Sequence, residues 1–342
     1  MKLKDIAKEA GVSIMTVSNV INGKHSKVSA STIERVNKII DKYNYAPNMT
    51  AKSLSQKSSK IVAVIISISE EDEQKNYLEN PFVSTIIGIT EKLLRQNGYY
   101  AMVCSIKSFE DVLKLLDNWN LDGIMFLNPI YTKEIENHLA GIKCPILVFD
   151  GDTINRDMIS VNTDDEKGLY LSTRHLIEKG HKHIAFVANY DRNPLLTRRF
   201  SGYLKALNKA GIPINKNYIF EYSPNYEEGV KAGKYISSYY KEITGVVTTA
   251  DMCAIGIMEG AKLCGYNIPD DLSVVGFDDL KLCSYVTPKL TSISQQIDYK
   301  TKIGITTLID CMNAKKNIIT PIVIDVKLVK RQSVRNLIFT NN

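Results

Sequence analysis

The sequence predicts a two-part chain: an all-α head of helix-turn-helix type, then α/β segments that build two doubly wound parallel sheets. Three observations carry this. In the first 43 positions apolar residues recur at helical spacing alone, whereas from Ile61 short buried-strand runs alternate with amphipathic helices. The chain has 342 residues, and the 282 that follow position 60 exceed one doubly wound unit, so two similar subdomains are expected. The charge is lopsided: residues 1–60 hold eleven Lys/Arg and four Asp/Glu, a net +7, while the whole chain carries +6. A basic head on a nearly neutral body fits contact with a polyanion, although a lysine-rich face can be merely solvated.

The head reads as three helices. Leu3, Ile6, Ala7 and Ala10 form an i, i+3, i+4, i+7 stripe that stops at Gly11. Ser13 caps a second helix running through Asn22, with Val17, Val20 and Ile21 inward. After the polar loop Gly23–Lys27, a third helix extends to about Tyr43 along Ile33, Val36, Ile39 and Ile40. Ser29 or Ser31 caps it, and Ser31 with Glu34 would make a capping box. Helix, tight Gly-Val-Ser turn and helix is the DNA-binding pattern, with Val12 plugging the angle. The start of the second helix, Ile14, Met15, Thr16, Ser18 and Asn19, would then face the major groove. A small three-helix core unrelated to DNA shares the same spacing.

Pro47 breaks the third helix, and Asn48 can cap a short segment, Met49 to Ser55, before the polar run Gln56–Lys60. A helix of about eight residues is unstable alone in water and needs something to dock on. Strand-like runs follow at Ile61–Ile68, Tyr99–Ile106, Gly123–Leu127, Pro145–Asp150, Ile184–Ala188, Gly245–Thr249 and Ser273–Asp278. Helical patterns lie between them, for example Pro81–Asn97, Asp165–Lys179 and Arg199–Ala210, each closed by a glycine. Open parallel sheets bind ligands beyond the carboxyl ends of their strands. Asp150, Asp251, Asp278 and Asp279 gather at such ends, where an aspartate can equally cap the next helix.

Several function classes recede. No run of about 18 apolar residues offers a membrane span. Met1 to Gly11 carries charge every few residues without an apolar stretch, which argues against a secretory signal and for the cytoplasm. Six scattered cysteines without a C-x-x-C pair read as reduced small hydrophobes. His181 and His183 form an H-x-H in a turn, with no third ligand to make a metal site. No P-loop, G-x-G-x-x-G, G-x-S-x-G or H-E-x-x-H signals an enzyme, and no cofactor is expected.

The stretch Lys4-Asp5-Ile6-Ala7-Lys8-Glu9-Ala10-Gly11-Val12-Ser13, then Thr16-Val17-Ser18 and Val20-Ile21-Asn22-Gly23, resembles the lactose/galactose repressor family. So do Tyr45-Ala46-Pro47-Asn48, Ala51-Lys52-Ser53-Leu54 and Asn80-Pro81-Phe82. Ile268-Pro269-Asp270-Asp271-Leu272-Ser273 running into Gly276-Phe277-Asp278, and Leu290-Thr291-Ser292-Ile293, extend the likeness over nearly the whole chain. The resemblance implies a headpiece at 1–47, a hinge helix and linker at 48–60, and a core of the periplasmic-binding-protein type at 61–335. Its subdomains would be about 61–161 plus 291–322, and 162–290 plus 323–335. The family's function would be sequence-specific transcription regulation, by repression, under a small polar effector held between the subdomains.

By the same resemblance, Ile14, Met15, Thr16, Ser18, Asn19, Asn22, Ala51 and Lys52 contact DNA, and Leu54 is a minor-groove wedge that unstacks a base step. Position 19, often arginine in the family, is Asn19, which can pair with an adenine edge, while Ile14 and Met15 can touch thymine methyls. Phe82, Asp150, Arg199, Asp251 and Asp278 would line the effector cleft. Pro224 stands where relatives often place a stacking aromatic, with Tyr222 and Tyr226 on either side. An arginine and several carboxylates suit vicinal hydroxyls, so a sugar or sugar derivative is the first expectation. A purine-like corepressor would use the same groups. A near-palindromic operator calls for a homodimer, and the absence of a C-terminal leucine heptad argues against a tetramerising coil. The rival class is a transport-type binding protein, which the basic head and missing signal peptide disfavour.

Overall fold

The computed structural model describes residues 2–45, 58–68, 76–127, 139, 141–151, 153, 158–191, 193–313 and 321–338. The proposed hinge residues Ala51, Lys52 and Leu54 lie outside them. The chain divides into two units, residues 1–60 and 61–342.

The first unit holds α1 (Leu3–Ala10), α2 (Ile14–Ile21) and α3 (Ala30–Lys42). Their stripes meet in one core of Ile6, Ala7, Ala10, Val17, Val20, Val36 and Ile39, with Val12 packed against it. Ile6, Val17 and Val36 are wholly buried, each a gain of about 1.5–3 kcal/mol over exposure. Ser29 occupies the N-cap of α3. Its hydroxyl turns to the Ser31 and Thr32 hydroxyls, and Ser31 lies inside the helix, so the Ser31–Glu34 capping box does not form. A salt bridge of 2.8 Å from Lys42 to Glu9 ties the end of α3 to α1.

The second unit contains two six-stranded sheets with the same winding. The first comprises β1 (Ile61–Ser67), β2 (Tyr100–Ile106), β3 (Gly123–Leu127), β4 (Ile146–Phe149), β5 (Ile159–Thr163) and β11 (Ile322–Ile324), ordered β11-β5-β4-β3-β1-β2. The second comprises β6 (Ile184–Val187), β7 (Ile219–Phe220), β8 (Gly245–Thr248), β9 (Ser273–Asp278), β10 (Thr291–Ser294) and β12 (Lys327–Val329), ordered β12-β10-β9-β8-β6-β7. All pairings are parallel except β10 with β12. In each sheet the order reverses beside its first strand, the topological switch point that opens a crevice at the carboxyl ends.

Both faces of each sheet are covered. Val62, Val64 and Ile66 pack with α4 (Pro81–Gln96) and α10 (Ile297–Met312), while Ala63 and Ile65 pack on Val112 of α5 (Phe109–Asn118). In the second sheet α6 (Asp165–Glu178) and α7 (Pro194–Lys209) cover one face, α8 (Tyr226–Tyr239) and α9 (Asp251–Leu263) the other. The two pairs pack through glycines. A Cβ at Gly256 would lie 2.2 Å from the Tyr226 carbonyl oxygen, and one at Gly202 2.1 Å from that of Glu166.

The strand crossings sit slightly off the expected positions. Residues 291–294 belong to the second sheet, because Thr291 to Ser294 run in register with Val275 to Asp278. The first sheet keeps its fifth strand through Thr163, and Ile324 still pairs there. The chain therefore crosses near 163–164, 294–297 and 324–327. Residues 159–163, 219–220, 291–294, 322–324 and 327–329 are strands that the periodicity did not predict.

Candidate DNA-binding surface and ligand cleft

In the first unit, Gly11 takes a left-handed φ of 64° at the end of α1, a conformation that a side chain resists. The Val12 N–H then donates to the Ala7 carbonyl at 3.0 Å. Ser13 caps α2 by accepting from the Thr16 N–H at 3.1 Å. With Val17 and Val20 committed to the core, the opening turn of α2 points outward, leaving Ile14 51% and Met15 70% exposed. Two large apolar side chains in water at a helix start, beside the Thr16 hydroxyl, are shaped for a surface that covers them. Asn19 and Ser18 are half-buried. Asn22 is placed differently from its neighbours: it ends α2 and donates from Nδ2 to the Ser18 carbonyl at 2.8 Å and hydroxyl at 3.2 Å. Its Oδ1 is buried and lacks a hydrogen-bond partner.

In the second unit, the carboxyl ends of the sheets bring most of the expected effector residues together. Arg199, in the second turn of α7, is buried; its Nε donates to Asp165 Oδ1 at 2.9 Å and one Nη to the Thr249 carbonyl at 2.6 Å. Its guanidinium lies 3.7 Å above the Phe277 ring, a stacking geometry that favours arginine. Asp278 follows Phe277 at a φ of 120° and accepts from Gln295 Nε2 at 2.5 Å. Burial raises the Asp278 pKa well above the carboxylate range, and neighbouring Asp251 adds to the effect. Asp165 is also raised, by burial first, against the opposing pull of Arg199.

Asp150 ends β4 at a φ of 59°. Its Oδ1 accepts from Lys300 Nζ, a wholly buried ammonium on α10. Lys300 also donates to Thr163 Oγ1 at 2.6 Å and Gln295 Oε1 at 3.2 Å, and it lies 4.8 Å from the Phe149 ring centre. Left-handed backbone at two non-glycine strand ends is strain of the kind that collects at functional sites. Phe82, one residue into α4, packs against both subdomain cores, as does Ile297. Tyr222 is half-buried against the second core, and Tyr226 opens α8 with its carbonyl on Gly256.

Asp251 is a correction. It is enclosed at 0% exposure; Oδ1 accepts from Ser292 at 2.5 Å, and Oδ2 from the Leu280 N–H at 2.8 Å and Cys283 Sγ at 3.0 Å. Both oxygens staple the second subdomain together, and burial lifts its pKa to about 7. Three participants were missed: Lys300, Gln295 and Asp165. Lys300 had a readable signal, since it stands on the stripe Ile297, Thr301, Gly304, Ile305 and Leu308 where an apolar residue belongs. A cavity of about 670 Å³ also opens at the first crossing, lined by Asn162, Thr163, Asp165, Arg198, Lys205 and others, but by none of the expected effector residues.

His181 and His183 take separate partners, Thr244 and the Arg335 carbonyl for one and Tyr218 for the other. Among the described residues no cluster of three or more His, Cys, Asp or Glu could hold a metal ion, and no helix is long and apolar enough to cross a membrane.

A helix-turn-helix with an outward recognition turn, joined in one chain to a two-sheet ligand-binding core, defines a ligand-responsive DNA-binding transcription regulator. Comparison with known proteins agrees. The model of bacterial regulatory proteins of the lacI family matches residues 2–48, and that of the periplasmic binding protein-like domain matches residues 173–334. The HTH-type transcriptional repressor PurR of Actinobacillus pleuropneumoniae serotype 3 (strain JL03) is 30% identical over 344 residues, covering 98% of each chain. That of Vibrio atlanticus (strain LGP32) is 33% identical over 300 residues, covering 86% of each. The lac repressor dimer bound to operator and the anti-inducer ONPF superposes with a TM-score of 0.83 at 26% identity, covering 98% of this chain and 99% of that one. A LacI family regulator from Enterococcus faecium with bound ribose gives 0.70 at 25% identity, covering 80% and 99%. The chain belongs to the lacI family of transcription regulators.

Proposed function

We propose that the chain acts as a homodimeric repressor on a near-palindromic operator, in the cytoplasm where that DNA lies, by binding rather than by chemistry. Ile14, Met15, Thr16 and Asn19 read the major groove, and Ala51, Lys52 and Leu54 serve the minor groove at the operator centre. The observation that carries this reading is the exposure of Ile14 and Met15 at the opening turn of α2, while Val17 and Val20 of the same helix are committed to the core. A small polar effector sits between the subdomains, on Arg199, Asp278 and Phe82, and shifts operator affinity through its differential affinity for two subdomain arrangements.

A sugar or sugar derivative fits the carboxylates and the arginine, with Phe82 as a stacking surface. The purine-like reading is kept because relatives aligned over nearly the whole chain carry the name PurR. Selection of bound genomic fragments by the full-length protein, followed by anisotropy with and without sugars and purine bases, tests the proposal. Operator binding lost on deletion of residues 1–60, and shifted by one ligand class, supports it. Ligand binding without any specific DNA binding refutes it in favour of a transport-type protein.

A further inference from the structure

The two walls of the cleft are built alike. On each, a Phe-Asp pair ends a strand with the aspartate at positive φ, Phe149-Asp150 on β4 and Phe277-Asp278 on β9. On each, a buried cation lies over the phenylalanine ring, Lys300 over Phe149 and Arg199 over Phe277. Each buried cation is paired with a carboxylate of the protein itself, Lys300 with Asp150 alone and Arg199 with Asp165, which also takes the half-buried Arg198 at 3.4 Å. An ammonium has three N–H donors, and those of Lys300 are spent on Asp150, Thr163 and Gln295.

We propose that Lys300 is a specificity-determining residue of the effector cleft, and that its pairing with Asp150 selects an uncharged effector over the phosphorylated or carboxylated form of the same molecule. The inference rests on the effector reading above. An added anion would enter a site whose cations already have carboxylate partners, and a buried charge without a counter-charge is strongly disfavoured. Asp278 makes this worse, since it supplies acceptor oxygens and no positive charge. A neutral polyol or nucleobase needs only hydrogen bonds, which Asp278, the remaining Arg199 donors and the Phe82 ring supply.

Calorimetry on the intact protein tests this with matched probes: D-ribose against D-ribose 5-phosphate, D-glucose against D-glucose 6-phosphate, and inosine against inosine 5′-monophosphate. At least one neutral member should bind, about 100-fold or more tighter than its phosphorylated partner. Asp150→Asn leaves Lys300 unmatched and should narrow that gap by about tenfold or more. Lys300→Met leaves Asp150 unmatched and should widen it. The Lys300→Met/Asp150→Asn pair should return the preference to near the wild-type value. Melting curves and unliganded operator affinity verify the fold of each variant; should a single variant not fold, the double variant and the wild-type ratio decide. Binding of phosphorylated members as well as neutral ones, binding of no neutral member, or parallel changes for both members in each variant would overturn the proposal. Absence of specific operator binding by the wild type both with and without a bound ligand would instead refute the regulator reading and leave the ligand ratios standing.

Discussion

Replacing Arg199 by alanine asks whether the residue serves the ligand alone or also holds the core. Its Nε is 2.9 Å from Asp165 Oδ1, and the two side chains are 6% and 1% exposed. Truncation takes the nearer of two guanidinium partners from the buried Asp165 carboxylate and leaves it the longer contact of 3.4 Å from Arg198 Nη2 to Oδ2; complete loss of a partner costs about 3–5 kcal/mol. At about 2–4 °C per kcal/mol for a domain of this size, Arg199→Ala should lower the melting temperature by at most about 6–20 °C, the full figure applying where Arg198 does not compensate. The sign of the pH dependence follows from Asp165. Burial raises its pKa above the unfolded value, and removing the guanidinium raises it further. The under-paired group is tolerated when protonated, so the deficit should shrink toward acidic pH and grow as pH rises. Scanning calorimetry from pH 5 to pH 8, with Arg199→Ala/Asp165→Asn alongside, measures both effects. The double variant should recover at least half of the loss. A melting temperature within about a degree of wild type across that range would show that the pair does not bear on the fold, and the reasoning fails.

Four further outcomes are expected. Met15→Ala should weaken specific operator binding by about 1–3 kcal/mol and leave the melting temperature unchanged, because Met15 is 70% exposed; binding measured against salt should also fall steeply, and a flat salt response would contradict the DNA-binding reading. Asp251, whose folded pKa of about 7 lies above its unfolded value, contributes stability that is present at acidic pH and lost as pH rises through about 7; melting profiles of the wild type should show this falling limb, and Asp251→Asn should flatten it. Gly256→Ala drives a methyl to 2.2 Å from the Tyr226 carbonyl oxygen, so it should cost about 1–3 kcal/mol by thermal unfolding, whereas Gly88→Ala, where nothing lies within 4 Å, should not.

How far the sequence disclosed this molecule depends on where burial comes from. Strands such as Ile61–Ser67 and Gly123–Leu127 are apolar on both faces, so their own composition announces them. β5 and β10 escaped because Ile-Ser-Val-Asn-Thr and Thr-Ser-Ile-Ser bury hydroxyls and an amide whose partners, such as the Gly151 carbonyl for Ser160, Asp251 for Ser292 and Gln295 for Thr163, are set by the fold. The second crossing, placed before residue 291 by the family resemblance, falls after 294 because Thr291 to Ser294 pair with β9. Arg199, Asp150 and Asp278 were visible as strand-end or helix-start polar groups, and the family pattern gave them a role. Asp251 looked the same in the sequence, yet its oxygens face Ser292, Cys283 and the Leu280 amide, partners 29–41 residues away. Asp165 read as an ordinary first-turn acid, since its partner lies 34 residues on.

Gln295 shows how the two walls can act as one. It lies on the second crossing, between β10 of one subdomain and α10 of the other. Its Oε1 accepts from Thr163, at the first crossing, at 2.9 Å and from Lys300 at 3.2 Å, while its Nε2 donates to Asp278 at 2.5 Å. An effector hydroxyl that takes Asp278 Oδ1 therefore competes with Gln295, and what Gln295 gives up is felt by Thr163 and Lys300. A ligand shifts a two-state equilibrium only by interacting differently with the two states. The hydrogen bonds of Gln295 link residues at both crossings, so they are placed to respond to a change in the angle between the subdomains. If the effector takes Asp278 as proposed, its contact reaches both crossings through the Gln295 amide, without the effector touching the crossing strands.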